Sequence, residues 1–286
     1  MTAPDPTSAP TAPGDARRGD GGTGGRADHG TADVVRAVAV VVAAVAQVVC
    51  SPLGAALPGA RSVADVSDAY TTVITPAGYA FAIWGLIFLG CLAWAVYQAL
   101  PSQLGRSVHR RAGWPLAVAF AANAAWETVF PRDGTWVLVA QGLIVVAVAA
   151  SATALGRLQD PEPQGLARLL PSAVAALLLG WVTIATVANV GITGVYLGAP
   201  AQGGLAEGAG IVALLAAAAV VLDVTLRLRT SAGPFALAAG WGLLAVARHD
   251  PPFAVGIAAW VAVAVVVAGL GVQVWRTRRP VRVLVG

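Results

Sequence analysis

From about residue 34 to residue 275 the chain runs through one apolar stretch after another, each close to the length of a membrane span. Crossing a hydrocarbon core of roughly 30 Å takes about 20 apolar residues in helical form. Inside lipid the backbone polar groups must be satisfied within each segment, which leaves helices as the solution. With 57% of 286 side chains apolar and 11% charged, a water-soluble domain could not hide this surface. The expected fold is therefore all-α, a polytopic membrane helix bundle of about eight transmembrane helices. The spans fall at about 34–54, 75–99, 112–130, 134–155, 169–190, 205–226, 234–248 and 253–275. The seventh is the shortest: it begins at Pro234 and stops at Arg248-His249-Asp250-Pro251-Pro252, so a tilted or re-entrant segment, or no span at all, stays open.

Charge placement tests that count. Arginines gather in short cytoplasmic loops, and with eight spans and an inside N-terminus 15 of the 18 basic residues lie on the inside. Arg61, Arg132 and Arg248 remain outside, and removing the seventh span would put the C-terminal Arg276–Arg282 cluster on the wrong side. The expectation is a multi-pass protein of the plasma membrane with both termini cytoplasmic. Residues 1–32 are rich in Pro, Gly, Thr and Asp, cannot bury a core and read as a disordered cytoplasmic tail. No signal-peptide pattern precedes the first span, so no cleavage is expected. Residues 276–286 read as a basic cytoplasmic tail that anchors topology or meets anionic membrane lipid.

Composition removes several chemistries. The chain has no lysine, so neither a retinal Schiff base nor a phosphate-cradling P-loop can form. His29, His109 and His249 fall in the tail and in loops, leaving no histidine within the membrane for haem ligation or for a nucleophile's base. Cys50 and Cys91 have no metal-ligand spacing and read as small buried hydrophobes. Nothing here implies a nucleic-acid partner, an obligatory cofactor or a metal.

Three stretches break the monotony of Ala, Val and Leu. The first runs from Thr75-Pro76 to Trp84 and Phe88, which lie at i, i+4 on one helix face. The second is Asn123-x-x-Trp126-x-x-x-Phe130, a single stripe at helical spacing. The third, Trp181-Val182-x-x-Ala185-Thr186-x-x-Asn189, does the same with Trp181, Ala185 and Asn189. Asparagines within a span need hydrogen-bond partners and so face the bundle interior, either as glue between the third and fifth spans or as part of a site. Trp114, Trp136 and Trp275 sit near span ends, as an interfacial belt would.

These three stretches, in this order on consecutive helices, resemble the motifs of the tryptophan-rich sensory protein/translocator protein (TspO) family. The resemblance covers about residues 70–190, with the first span as the family's first helix. It implies a five-helix TspO-like core over residues 33–190, with three additional transmembrane helices over 191–275. It also implies an interior pocket for a lipophilic small molecule: porphyrins and other tetrapyrroles, or sterols, bound through Trp84, Phe88, Asn123, Trp126, Trp181, Ala185 and Asn189. A tetrapyrrole would be a ligand there, held without axial ligation. The departures are a Pro-Pro run reduced to Pro76-Ala77-Gly78-Tyr79, no Trp-rich motif on the first span or its loop, and Glu127 beside Trp126.

Two carboxylates within spans need an account. Glu127 lies close enough to Phe130-Pro131 to be solvated at the outer surface, or else it lines the pocket and meets a ligand amine or relays protons. Asp223 stands four residues before Arg227, as an i, i+4 ion pair would. A binding protein that senses or carries its ligand is the leading expectation. An ion- or proton-coupled transporter using these carboxylates and a porphyrin-degrading photo-oxidative enzyme using the tryptophans are the alternatives. Gly- and Ala-rich faces could support a homodimer.

Overall fold

The structure, a computed structural model, describes residues 30–159, 165–277 and 280–284. The stretch 1–29 of the expected tail, with His29, lies outside the described residues, as do Arg278 and Arg279 of the basic cluster. The described helices are α1 (Thr31–Ala56), α2 (Val63–Ala69), α3 (Ile83–Ala99), α4 (Ser107–Val129), α5 (Trp136–Arg157), α6 (Leu166–Tyr196), α7 (Gly204–Arg227), α8 (Ala232–Ala247), α9 (Phe253–Thr277) and the short α10 (Pro280–Leu284), and no strand occurs among the described residues. A 3-10 turn, Gly78–Ala82, leads into α3, and another, Phe130–Arg132, follows α4.

Six segments are long and apolar enough to cross a membrane: α1, Gly78–Ala99, α5, α6, α7 and α9. α4 has 23 residues, about 35 Å of helix, but carries His109, Arg110 and Arg111 near its start. α8, the expected seventh span, is an apolar helix of 16 residues, about 24 Å and so shorter than the hydrocarbon core. Large apolar side chains point outward at mid-helix, Leu89, Val212 and Val267 each about two-thirds exposed, as lipid-facing positions do. The chain is a polytopic helical membrane protein.

Contacts close a ring of five helices. α1 packs on α3 and α4, α4 on α5, α5 on α6, and α6 returns to α3. α8 docks on the outside of α6, and α9 joins α8 to α7. Without a hydrophobic drive between helices in lipid, small residues set these seams. A Cβ on Gly54 of α1 would lie 2.0 Å from the Glu127 carbonyl oxygen of α4, and one on Gly180 of α6 would lie 2.3 Å from the Phe235 carbonyl oxygen of α8. At both points backbone touches backbone.

The first residues of α1, the ends of α3, α5 and α7, and the starts of α4 and α8 meet at one face, which is called the terminal face below. There Arg36 reaches the Leu104 carbonyl, Arg157 the Arg111 carbonyl, and the Arg229 N–H the Gln159 side chain. Three expectations change here. The first helix starts at Thr31, inside the stretch assigned to the tail, because Asp33 turns inward onto Arg36 and Arg110. His109 is helical and fully buried, since α4 begins right after Arg106, and its Nδ1 accepts from the Trp94 indole at 3.4 Å. Within the expected basic tail, α10 packs back on α8 with Val283 buried.

At the opposite face, the cap face, residues 57–82 fold over the bundle. Ser62 and Asp65 form a reciprocal capping box that starts α2. Pro76 and Ala77 stay extended and the first helical turn comes at Gly78, two residues after the expected proline start. The Ala77 N–H donates to the Ala245 carbonyl, and the Trp241 indole donates to the Ala80 carbonyl at 2.9 Å, so the cap is tied to α8.

Candidate ligand-binding site

Helical periodicity brings the three marked stretches to one place. Trp84 from α3, Asn123 and Trp126 from α4, and Trp181, Ala185 and Asn189 from α6 all line a single slot beneath the cap. Phe88 is not among the lining side chains; it stands behind Trp84, ring on ring at 5.2 Å. The Trp84 and Trp181 rings meet edge to face at 6.0 Å, and Phe81 from the 3-10 turn meets Trp181 the same way at 6.2 Å. Such offset and perpendicular contacts are what the ring quadrupoles favour.

Polar groups around the slot are disposed unevenly. The Trp126 indole N–H donates to Asn189 Oδ1 at 3.4 Å, while Asn189 Nδ2 returns to the Ala185 carbonyl of its own helix. Asn123 donates to Gln47 of α1 at 3.1 Å, so the two asparagines do not bond each other. The indole N–H groups of Trp84 and Trp181 are buried and find no partner among the described residues. The residues lining the slot thus carry two unspent donors, while the Asn189 side-chain oxygen is already engaged by Trp126. A buried donor left unpaired costs about 1–3 kcal/mol, so an acceptor brought by a ligand would be stabilised there.

Apart from Pro76, the other walls named here carried no marker in the sequence. Val63, Ser67, Ile74 and Pro76 of the cap close the top, and Leu214 of α7 and Gly242 and Val246 of α8 close the side beyond α6. Gly242 is needed where it stands, because a Cβ there would meet Ile184 of α6 at 2.8 Å. The space among these side chains amounts to about 740 Å³ counting its mouth, whereas the cavity proper is about 40 Å³. That holds one water or so. A flat ring system does not fit this space unless the aromatic side chains or the cap move apart.

Glu127 does not line the slot, and it is not solvated. It is 1% exposed, turned toward α1, because Gly54 lets α1 lie directly against α4 at that level. Asp223 pairs with Arg227 at 2.8 Å on an exposed helix face. Trp114, Trp136 and Trp275 are exposed near helix ends, with the Arg132 guanidinium over the Trp136 ring. No group of three or more His, Cys, Asp or Glu side chains that could hold a metal occurs among the described residues.

A family model described as TSPO-like protein matches residues 37–272, from early in α1 to late in α9. No curated protein and no solved structure matches the chain. The match takes in the three helices beyond α6 as well as the five-helix ring, and with it the chain belongs to the TSPO-like protein family.

Proposed function

We propose that the chain binds flat, lipophilic ligands that carry a hydrogen-bond acceptor, tetrapyrroles or sterols, in the slot between α3, α4 and α6. The observation that carries this reading is the pair of buried, unpartnered indole donors, Trp84 Nε1 and Trp181 Nε1, on the walls of an otherwise apolar, aromatic slot. Indole faces stack on a conjugated ring at little conformational cost, and the N–H groups give the ligand an orientation. Family membership and the gathering of the three motifs support the same ligand class. The arginine distribution supports a plasma-membrane protein with cytoplasmic termini; on that reading the cap lies outside and ligand reaches the slot from that side or from lipid.

The test is a fluorescence-quenching titration of the purified protein with protoporphyrin. Wild type is expected to show saturable quenching. Trp84→Phe and Trp181→Phe keep a ring but lose the donor, and each is expected to weaken binding about fivefold, the worth of one hydrogen bond near 1 kcal/mol. Trp84→Ala loses the ring as well and is expected to weaken binding further. Absence of saturable quenching in the wild type would overturn the reading.

A further inference from the structure

Glu127 is buried, yet the slot makes no use of it. It lies one turn beyond Asn123 on α4, and neither carboxyl oxygen has a hydrogen-bond partner among the described residues. On α1 the Ser51 hydroxyl is within electrostatic reach. One turn back, Gln47 accepts from Asn123 through Oε1 while its amide nitrogen has no partner. Polar groups therefore run along the α1–α4 seam from the slot-lining Asn123 to Gln47, and then to Ser51 and Glu127.

No cation reaches the carboxyl from any element packed on α4. α1 carries Asp33 and Arg36 at the terminal face, joined to each other. α5 and α6 carry Arg157 and Arg168, also at the terminal face, and no other charged side chain. The 3-10 turn after α4 contributes Arg132, which lies over Trp136. Arg61 of the cap is on Asp133, and α4's own His109, Arg110 and Arg111 are at its far end. α3 brings Cys91 near Gln47 and no charge. An ionised carboxylate in such a seam, facing neither water nor a cation, costs several kcal/mol. The backbone contact at Gly54 holds the two helices too close to admit an ammonium group or metal ion without parting them. A proton needs no such room.

We infer that Glu127 is a proton-binding site: in the folded bundle its side chain is a neutral carboxylic acid in the α1–α4 seam, one turn along α4 from the slot-lining Asn123 that bonds Gln47. The Ser51 hydroxyl lies within electrostatic reach of the carboxyl, and loss of the proton places an unpaired charge between two helices in contact. This holds whether or not the slot takes tetrapyrroles.

The experiment is infrared spectroscopy of the ligand-free protein in phosphatidylcholine vesicles as pH is raised from acid through neutral. Wild type is expected to keep a carboxylic-acid C=O stretch at neutral pH that shifts in D₂O. Glu127→Gln, isosteric with the neutral acid, is expected to fold, to melt close to wild type and to lack that band. A wild-type spectrum without the acid band at neutral pH overturns the inference, and this arm needs no variant. So does a band retained in full by Glu127→Gln, or a Glu127→Gln protein that loses its fold, as removal of one partner from a buried ion pair would cause.

Discussion

The Trp126 indole N–H and the Asn189 side-chain oxygen meet at 3.4 Å across the slot, joining α4 to α6, which otherwise touch little. Both side chains are nearly fully buried. Replacing Asn189 by Leu leaves the indole donor unpaired in an apolar seam and is expected to cost about 1–3 kcal/mol. Trp126→Phe with Asn189→Leu removes donor and acceptor together, so the double variant is expected to lose less than the two single losses combined. Thermal unfolding of the four proteins in one detergent reads this directly; additive losses would mean that the bond contributes nothing.

The α1–α4 seam gives a sharper contrast. Gly54→Ala would set a methyl carbon 2.0 Å from the Glu127 carbonyl oxygen, and rigid backbone on both sides leaves no side chain to move away. A loss of about 1–3 kcal/mol or more is expected, the range for overpacked cores. Gly142→Ala, on α5 with nothing within 4 Å of the new carbon, is expected to be neutral or to stabilise by up to about 1 kcal/mol from helix propensity alone. Equal melting temperatures for the two variants would show that the helices do not touch at Gly54.

How much of this was readable beforehand follows from where each residue's partner lies. Trp126, Trp181 and Ala185 share helical stripes with Asn123 or Asn189, whose need for partners turned those stripes inward, while the family resemblance implied Trp84 and the common pocket; the structure gathers all six around one slot. Phe88 shared Trp84's face but lies a turn farther from the cap. Leu214, Gly242 and Val246 were indistinguishable from lipid-facing Ala, Val and Leu, because only the packing of α7 and α8 against α6 turns them inward. Glu127 was misjudged because its distance along α4 to the helix end says nothing about α1 lying over it.

A latch holds the cap. The Tyr70 hydroxyl donates to the Asp133 carboxylate, Arg61 reaches the same carboxylate at 3.3 Å, and the Arg61 N–H donates to the Pro131 carbonyl at 2.9 Å. Burial pushes the Asp133 carboxyl up, but the Tyr70 hydroxyl, the Gly134 N–H and the Arg61 charge outweigh it and hold the carboxyl below its ordinary value of 3.8. Because the folded value is the lower one, the stabilisation is fully present above the ordinary value and is lost as pH falls through the folded value. Tyr70→Phe is expected to cost roughly 1 kcal/mol at neutral pH, since the pair is partly exposed to solvent. The gap between wild-type and Tyr70→Phe melting temperatures is expected to close below about pH 3.8. A gap that stays constant into acid would remove Asp133 from the latch.

At the terminal face one carboxylate serves two guanidiniums. Asp33, 5% exposed, lies 2.6 Å from Arg36 and 2.6 Å from Arg110, and Arg36 is itself 2% exposed with Gly113 packed on its stem. Neutralising Asp33 as Asn strands the Arg36 charge inside the bundle, and a loss of about 3–5 kcal/mol is expected, as for other broken buried pairs. Arg110 has half its side chain in solvent, so Arg110→Ala is expected to cost far less than Asp33→Asn. Asp33→Asn combined with Arg36→Met removes the stranded charge and is expected to recover most of the loss. Thermal denaturation of the three variants in detergent decides the matter. If the double variant were no better than Asp33→Asn, the carboxylate would act by starting α1 through its bond to the Gly30 N–H, and not by neutralising Arg36.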